Sequence, residues 1–180
     1  NYNISQTYSQ ISSYYINTNQ PEKALEALKK ADATAYSPTQ KISVQLEYVN
    51  YYSKFGDMQA AEKILNECKT AFDQDKRLWS IKKRLYNIEY VYYLKSKQYP
   101  KALEAAKKQE AEELNLSESI QNSVHYLTKG KIYSNMGNMS EAIKYLQMYI
   151  EAEDSLKIAN EQMASSEFAT GDTGRLVLAA

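Results

Sequence analysis

The stretch YSKFGDMQAAEKIL at residues 52–65 decides the fold of this chain. It opens on a tyrosine and is broken by Gly56 and Asp57, and Ala61 and Leu65 follow the break. The break predicts a short turn between two helices, with the aspartate as N-cap of the second helix. Because residues four apart share a helical face, the alanine and the leucine meet the same neighbour. The stretch therefore predicts a helical hairpin whose helices approach closely at the alanine.

The spacing from tyrosine to alanine recurs along the chain. The four pairs are Tyr15 and Ala24, Tyr52 and Ala61, Tyr93 and Ala102, and Tyr133 and Ala142. An aromatic residue, a small alanine and, in three cases, a leucine four residues further on resemble the helix-turn-helix signature of the tetratricopeptide repeat. Successive alanines lie 37, 41 and 40 residues apart, more than the family's usual spacing of about 34. We therefore expect the extra residues to lie between repeats.

The resemblance implies an all-α fold, a right-handed α-α superhelix of four helical hairpins plus a C-terminal closing helix. We predict repeats at about 5–37, 38–75, 76–116 and 117–154, a closing helix at 155–169, and a tail toward a missing C-terminal region at 170–180. The apolar stripe Leu156, Ala159 and Met163 predicts the closing helix, and Gly171 and Gly174 predict its end. Because the chain starts without a methionine, we expect it to be part of a longer protein.

The charge balance argues against nucleic acid as a partner. Basic and acidic residues number 22 each, so the net charge is zero. The densest basic run spans 76–84, where we predict the first helix of the third repeat to start, and the partner helix ends with Glu110, Glu112 and Glu113. We expect these acids to neutralise the run within the hairpin. No apolar stretch is long enough for a membrane span, so any membrane contact would use a region outside this chain.

We expect no enzyme activity. Cys68 and His125 are the only residues of their types, which rules out a disulfide, a zinc quartet or a histidine-based metal site. None of the common phosphate-binding, metalloprotease or nucleophile-elbow motifs is present. The sequence therefore predicts no catalytic residue, metal or cofactor. Ten of the 17 tyrosines fall at three repeat positions, which favours an architectural role for them.

The resemblance also implies where a ligand would sit. In the family, the first helices of the repeats line the inner face, and its positions here include Gln6, Ser9, Ser13 and Ser43. The candidate peptide-binding residues are Asn50, Lys54, Arg84, Asn87, Lys95, Lys131 and Asn135. No carboxylate occurs at these positions, so we expect a protein or peptide partner with acidic segments, held through amides and cations. The alternative is that these positions are simply solvated.

The tail suggests a wider context. Tyr145, Tyr149, Asp154, Ser155 and Leu156 have a spacing similar to that in the repeat regions of certain bacterial sensor histidine kinases. The resemblance implies the sensor or interaction region of a larger bacterial signalling protein. It favours a periplasmic location, as the extracytoplasmic part of a membrane receptor, over a cytoplasmic one. Two alternatives stay open: a structural scaffold that holds a homo-oligomer together, and a small-ligand receptor that uses tyrosines at the hairpin edges.

Overall fold

The computed structural model describes the backbone of residues 4–112 and 118–177, and the side chains of residues 4–112 and 123–163. These residues form α1 (Ile4–Asn17), α2 (Pro21–Thr34), α3 (Pro38–Phe55), α4 (Met58–Gln74), a 3₁₀ turn (Lys76–Ile81), α5 (Lys82–Lys95), α6 (Tyr99–Glu112), α7 (Glu118–Asn135) and α8 (Met139–Val177). Consecutive helices pack in pairs, α1 with α2 through α7 with α8. The predicted all-α fold of four hairpins is confirmed.

The chain divides into two compact units, Asn1–Glu113 and Leu114–Ala180. The first, called here the N-terminal unit, contains α1 to α6, and the second, the C-terminal unit, contains α7 and α8. In the N-terminal unit α3 contacts α1 and α5, so the first helices of three successive repeats lie side by side.

Local signals start the helices where the sequence predicts. Ser37 Oγ accepts a hydrogen bond from the Gln40 backbone N–H at 3.2 Å, and the Gln40 side chain accepts one from the Ser37 N–H, which completes a capping box. Asp57 Oδ1 accepts from the Ala60 N–H at 3.0 Å and caps α4. Gly56 ends α3 with φ of +101°, a left-handed conformation that glycine adopts without strain.

The recurring alanines lie where the two helices of each hairpin meet. Ala24, Ala61 and Ala102 have no exposed surface, and Ala142 is buried as well. A similar close approach, which the repeat pattern does not mark, occurs at Gly130 of α7, where a Cβ atom would stand 2.9 Å from the Leu146 side chain of α8. Close packing of the two helices in a hairpin therefore depends on a small residue, alanine or glycine, where they cross.

The recurring tyrosines pack against the helices around them. Tyr52 and Tyr93 are half-buried against the core cluster of the N-terminal unit. In the C-terminal unit Tyr133 stacks on Tyr145, with ring centroids 5.5 Å apart and the planes 6° from parallel. These contacts support the architectural interpretation.

Two predicted boundaries are wrong. The first helix of the third repeat begins at Lys82 rather than Lys76, because a 3₁₀ turn precedes it. Asp75 Oδ1 accepts from the Arg77 backbone N–H at 2.9 Å, and the buried Leu78 anchors the turn in the core. The turn thus uses residues that the repeat pattern assigned to a helix.

The second correction concerns the closing helix, which is not a separate element. Where the sequence predicted a hairpin ending at 154 and a new helix at 155–169, α8 continues from Met139 to Val177. Ser155 Oγ donates to the Glu151 carbonyl oxygen at 2.8 Å, so this serine bonds within the helix instead of capping a new one. The helix also passes Gly171 and Gly174, the predicted end.

Among the residues that the structure describes, no helix combines the length and apolar character needed to cross a bilayer.

Candidate functional site

The side-by-side first helices of the N-terminal unit meet around one buried carboxylate, that of Glu47 on α3. Its Oε1 accepts a hydrogen bond from Ser13 Oγ of α1 at 2.6 Å and from Asn50 Nδ2 at 3.1 Å. Its Oε2 accepts one from Arg84 Nη2 of α5 at 2.7 Å. The Glu47 side chain is 4% exposed, so three helices are joined through a charge that water scarcely reaches.

This network stabilises the arrangement of the three helices. A carboxylate taken out of water is costly unless a cation and further donors satisfy it. Arg84 supplies the cation, and the serine hydroxyl and the asparagine amide supply the donors. Losing any one partner would leave part of the buried charge without compensation.

The network changes the interpretation of two predicted binding residues. Arg84 is ion-paired and Asn50 is hydrogen-bonded to Glu47, so neither side chain is fully available to a ligand. The predicted positions themselves hold no carboxylate, but the Glu47 carboxylate lies between Arg84 and Asn50 and is bonded to both. The repeat positions missed Glu47 because it falls one residue outside the expected set; its only signal in the sequence is a single acid in the middle of an otherwise weakly charged helix.

Three other predicted residues of the N-terminal unit are exposed. Lys54 is in the last turn of α3, Asn87 is on α5, and Lys95 ends α5. In the described ranges 4–112 and 123–163, no ion pair involves Lys54 or Lys95. These two ammonium groups are therefore the cations of the predicted set that the N-terminal unit leaves available.

The remaining two predicted residues belong to the C-terminal unit. Lys131 and Asn135 are exposed on α7, and Asn135 Nδ2 donates to the Lys131 carbonyl oxygen at 2.8 Å. They belong to a different compact unit from the other five predicted residues, and they form a separate polar patch on α7.

A cavity of about 210 Å³ lies beside Arg84 in the N-terminal unit. Its lining is rich in hydroxyl groups and contains no carboxylate: Ser5, Gln6, Ser9, Ser37, Thr39, Gln40, Ser43, Ile81 and Arg84. Four of these residues, Gln6, Ser9, Ser43 and Arg84, were predicted on the inner face. Arg84 Nε is buried and has no hydrogen-bond partner among the described residues. The cavity offers hydroxyl and amide groups that can both donate and accept hydrogen bonds.

The two residues weighed for chemistry are both buried. Burial raises the pKa of Cys68 to about 12, so its thiol stays protonated at neutral pH and is a poor nucleophile. His125 is likewise buried, on α7. Within the described part of the chain, no three histidine, cysteine or acidic side chains are grouped to hold a metal ion.

Two family models match the chain. Residues 1–105, more than half of it, match the family described as 26S proteasome subunit RPN7, and residues 126–155 match a tetratricopeptide repeat. The second match confirms the resemblance to the tetratricopeptide repeat. Neither match concerns a histidine-kinase sensor.

One solved structure with a similar fold is titled "Crystal structure of MamA". Its TM-score is 0.54 at 20% identity, and the alignment covers 87% of this chain and 82% of that chain. At this identity the likeness shows the fold alone. No curated protein matches the chain.

Proposed function

The chain belongs, through residues 1–105, to the family described as 26S proteasome subunit RPN7, and we propose that it is a non-catalytic module that binds an acidic peptide or protein segment. Tetratricopeptide-repeat proteins are generally scaffolds for protein interaction. The description of this family, a subunit of a larger assembly, agrees with a role in protein contacts. The proposed binding face is the exposed side of the first helices in the N-terminal unit.

The observation that carries this proposal is the pair Lys54 and Lys95. Each lies two residues after the recurring tyrosine of its repeat, and each is exposed. Arg84 is ion-paired with Glu47. Among the described residues, Lys54 and Lys95 form no ion pair, so their ammonium groups are available to a ligand. Ammonium groups in water attract carboxylates, and two of them on successive repeats suit an extended acidic segment.

The hydroxyl-lined cavity supplies the second kind of contact. An extended peptide presents backbone N–H and C=O groups that need partners when water is excluded. Ser9, Ser43 and Gln6 line the cavity and carry groups that donate and accept. Asn87 offers a further exposed amide on α5.

The lysines also have a role that needs no ligand. Both lie in the last turn of their helices, where a positive charge stabilises the C-terminal end of the helix dipole. This effect is worth about 0.3–1 kcal/mol at an exposed site. A binding test must therefore separate binding from folding.

The test measures binding of acidic, neutral and basic extended peptides by isothermal titration calorimetry. The variant Lys54→Glu/Lys95→Glu is compared with the matched control Lys29→Glu/Lys63→Glu, whose lysines are exposed on the second helices α2 and α4. We expect acidic peptides to bind the parent chain and the control but not the first variant, and added salt to weaken binding. Equal losses in both variants, or binding that ignores charge and salt, would overturn the proposed face.

A scaffold function is a second candidate, because α8 exposes apolar side chains. Met139, Ile143 and Ile150 are each more than half exposed and lie on one side of the helix. Exposed apolar patches of this kind mark interaction surfaces. Sedimentation analysis of the chain and of an Ile143→Asp/Ile150→Asp variant tests this function: a scaffold predicts an oligomer that the variant loses, and a monomeric parent chain contradicts it.

The predicted role in a bacterial signalling protein, with its periplasmic location, stays a prediction. The residues behind it, including Tyr145, Tyr149 and Asp154, all lie on α8. The full reading frame decides the matter: a membrane span and kinase motifs after Ala180 would support a sensor.

A further inference from the structure

A second pocket of the N-terminal unit lies where α5 passes between α4 and α6, and it shares no lining residue with the cavity beside Arg84. Its volume is about 400 Å³, within the range of about 300–1,000 Å³ that small-molecule sites occupy. Its floor is apolar, because Phe72 of α4 and Leu85 of α5 are buried side chains that line it.

Aromatic rings form the walls of this pocket. Trp79, on the 3₁₀ turn, lines the pocket and is 55% exposed, and Tyr86 of α5 is half-buried. The turn that carries the tryptophan is held by the Asp75–Arg77 ion pair at 2.7 Å and by the buried Leu78. The indole is therefore attached to an ordered turn while a large part of its surface is open.

Ammonium groups surround the mouth. Lys69 lies on α4, Lys82 on α5 and Lys108 on α6, and all three line the pocket. Lys82 Nζ lies 5.6 Å from the centre of the Trp79 ring and 5.7 Å from that of Tyr86. Lys82 therefore makes a cation–π contact with each of the two rings, which holds its ammonium group beside the aromatic walls.

The lysines retain hydrogen-bonding capacity although each has an acidic partner. Lys82 pairs with Glu112 at 2.9 Å and Lys108 with Glu104 at 2.7 Å. Neither Glu112 nor Glu104 lines the pocket, whose own acids are Asp73 and Glu89. Because an ammonium group has three donors, Lys82 and Lys108 can each bond a second carboxylate. Within the lining Lys69 is ion-paired with Glu89 at 2.8 Å, so the groups left for an anion are the spare N–H donors of Lys82 and Lys108.

We propose that this pocket binds an aromatic ring that carries a carboxylate a few bonds away. The ring packs on Phe72 and Leu85 between the aromatic walls, where stacked or edge-on contacts are favourable. The carboxylate bonds Lys82 and Lys108 at the mouth. Such a group occurs in a free aryl-substituted acid and in the C-terminal aromatic residue of a peptide, and the experiment below separates the two sources.

Trp79 makes the test direct, since it is the single tryptophan of the chain. Its fluorescence is titrated with N-acetyl-L-phenylalanine, and with N-acetyl-L-phenylalaninamide as the uncharged control. We expect the acid to change the Trp79 fluorescence saturably. The amide should bind about tenfold more weakly, because only the acid makes charged hydrogen bonds. Equal affinity for both compounds, or no saturation with either, would overturn the proposal.

Variants assign the contacts. Lys82→Gln/Lys108→Gln should weaken binding of the acid about tenfold while leaving that of the amide unchanged. The matched control Lys63→Gln/Lys107→Gln removes two exposed lysines of α4 and α6 that do not line the pocket, and should bind as the parent chain does. Since Lys82 itself contacts Trp79, calorimetry repeats each titration without fluorescence, and circular dichroism melting checks the fold. A loss in the control equal to that in the first variant would contradict the assignment.

Two further probes identify the source. The affinity of a pentapeptide that ends in phenylalanine with a free carboxylate is compared with that of 3-phenylpropionate. The same peptide with a C-terminal amide is the uncharged control. Tighter binding of the free-acid peptide assigns the pocket to peptide ends, and equal or tighter binding of 3-phenylpropionate assigns it to free aryl acids. Binding of the amidated peptide as tight as that of the free acid would count against the pocket's use of a carboxylate.

Discussion

In the N-terminal unit α3 packs against α1, α2, α4 and α5, whereas in the C-terminal unit α8 packs against α7. The consequence appears in the apolar side chains. Leu46 and Val49 of α3 have no exposed surface, but Ile143 and Ile150 of α8 are 54% and 57% exposed. A helical repeat buries its second apolar face only against the next repeat. The contrast indicates that three consecutive hairpins form a core that a single hairpin does not.

The largest expected difference between the two units is the loss of stability when an apolar side chain is shortened. Leu65→Ala, at a site 1% exposed, should lower the free energy of unfolding by about 2–5 kcal/mol through lost burial and a cavity. Ile150→Ala, on the exposed face of α8, should change it by about 0.5 kcal/mol or less. Urea unfolding followed by Trp79 fluorescence and by circular dichroism measures both. Similar effects for the two substitutions would mean that Ile150 is buried in solution.

The Glu47 network gives the next largest effect. Arg84→Met leaves a buried carboxylate without its cation, a change that costs about 3–5 kcal/mol at a fully buried pair. Because Arg84 is 37% exposed, water compensates in part, and we expect about 2–3 kcal/mol. Glu47→Leu/Arg84→Met should recover most of the loss, since no unpaired charge remains. A double-mutant cycle in chemical denaturation measures the coupling, and purely additive effects would show that the pair does not interact.

Close packing at the hairpin crossings should matter in both units. Ala61→Leu and Gly130→Val each add atoms where a neighbour already stands; in the second case the added carbon would meet Leu146 at 2.9 Å. Overpacking of this kind costs about 1–3 kcal/mol. Circular dichroism melting measures both variants. A loss at Ala61 but none at Gly130 would show that the C-terminal hairpin can separate its helices without penalty.

The smallest effect concerns the 3₁₀ turn of the N-terminal unit. Hydrogen bonds from the Arg77 side chain, and then from its backbone N–H, lower the pKa of Asp75 from its ordinary value of 3.8. A carboxylate with a lowered pKa stabilises the fold above that ordinary value, and the contribution disappears as the pH falls through the lower one. Trp79 emission should therefore show an acid transition below pH 3.8, which Asp75→Asn abolishes. An unchanged titration in this variant would assign the transition to another group.

The sequence predicted the hairpins well because their signals are local. The tyrosine-to-alanine spacing, the Ser37 capping box and the Asp57 cap all act within a few residues. The prediction failed at α8, where a break was inferred from the expected repeat length. No glycine or proline lies between Met139 and Met163 to interrupt the helix, and Ser155 bonds within it. Intrinsic helix propensity thus overrode the repeat pattern.

Among the predicted binding residues, too, the local repeat pattern identified some features correctly and missed those that depend on distant contacts. Repeat positions alone identified Lys54 and Lys95 as surface cations, and both are exposed. They also placed Arg84 on the binding face, but its carboxylate partner Glu47 lies 37 residues away in the sequence. No local pattern carries such a pairing, because it depends on how neighbouring hairpins align.

By itself, the sequence determined the helices, their turns and the repeat family, since each of these depends on contacts between residues close along the chain. Only the tertiary structure decided which charges are neutralised and where pockets open. The Glu47 network joins α1, α3 and α5, and the pocket at Trp79 joins α4, α5, α6 and the 3₁₀ turn. Desolvation explains the difference: whether a charge is paired or available depends on the side chains that packing brings around it, and packing brings together residues that are distant in the sequence.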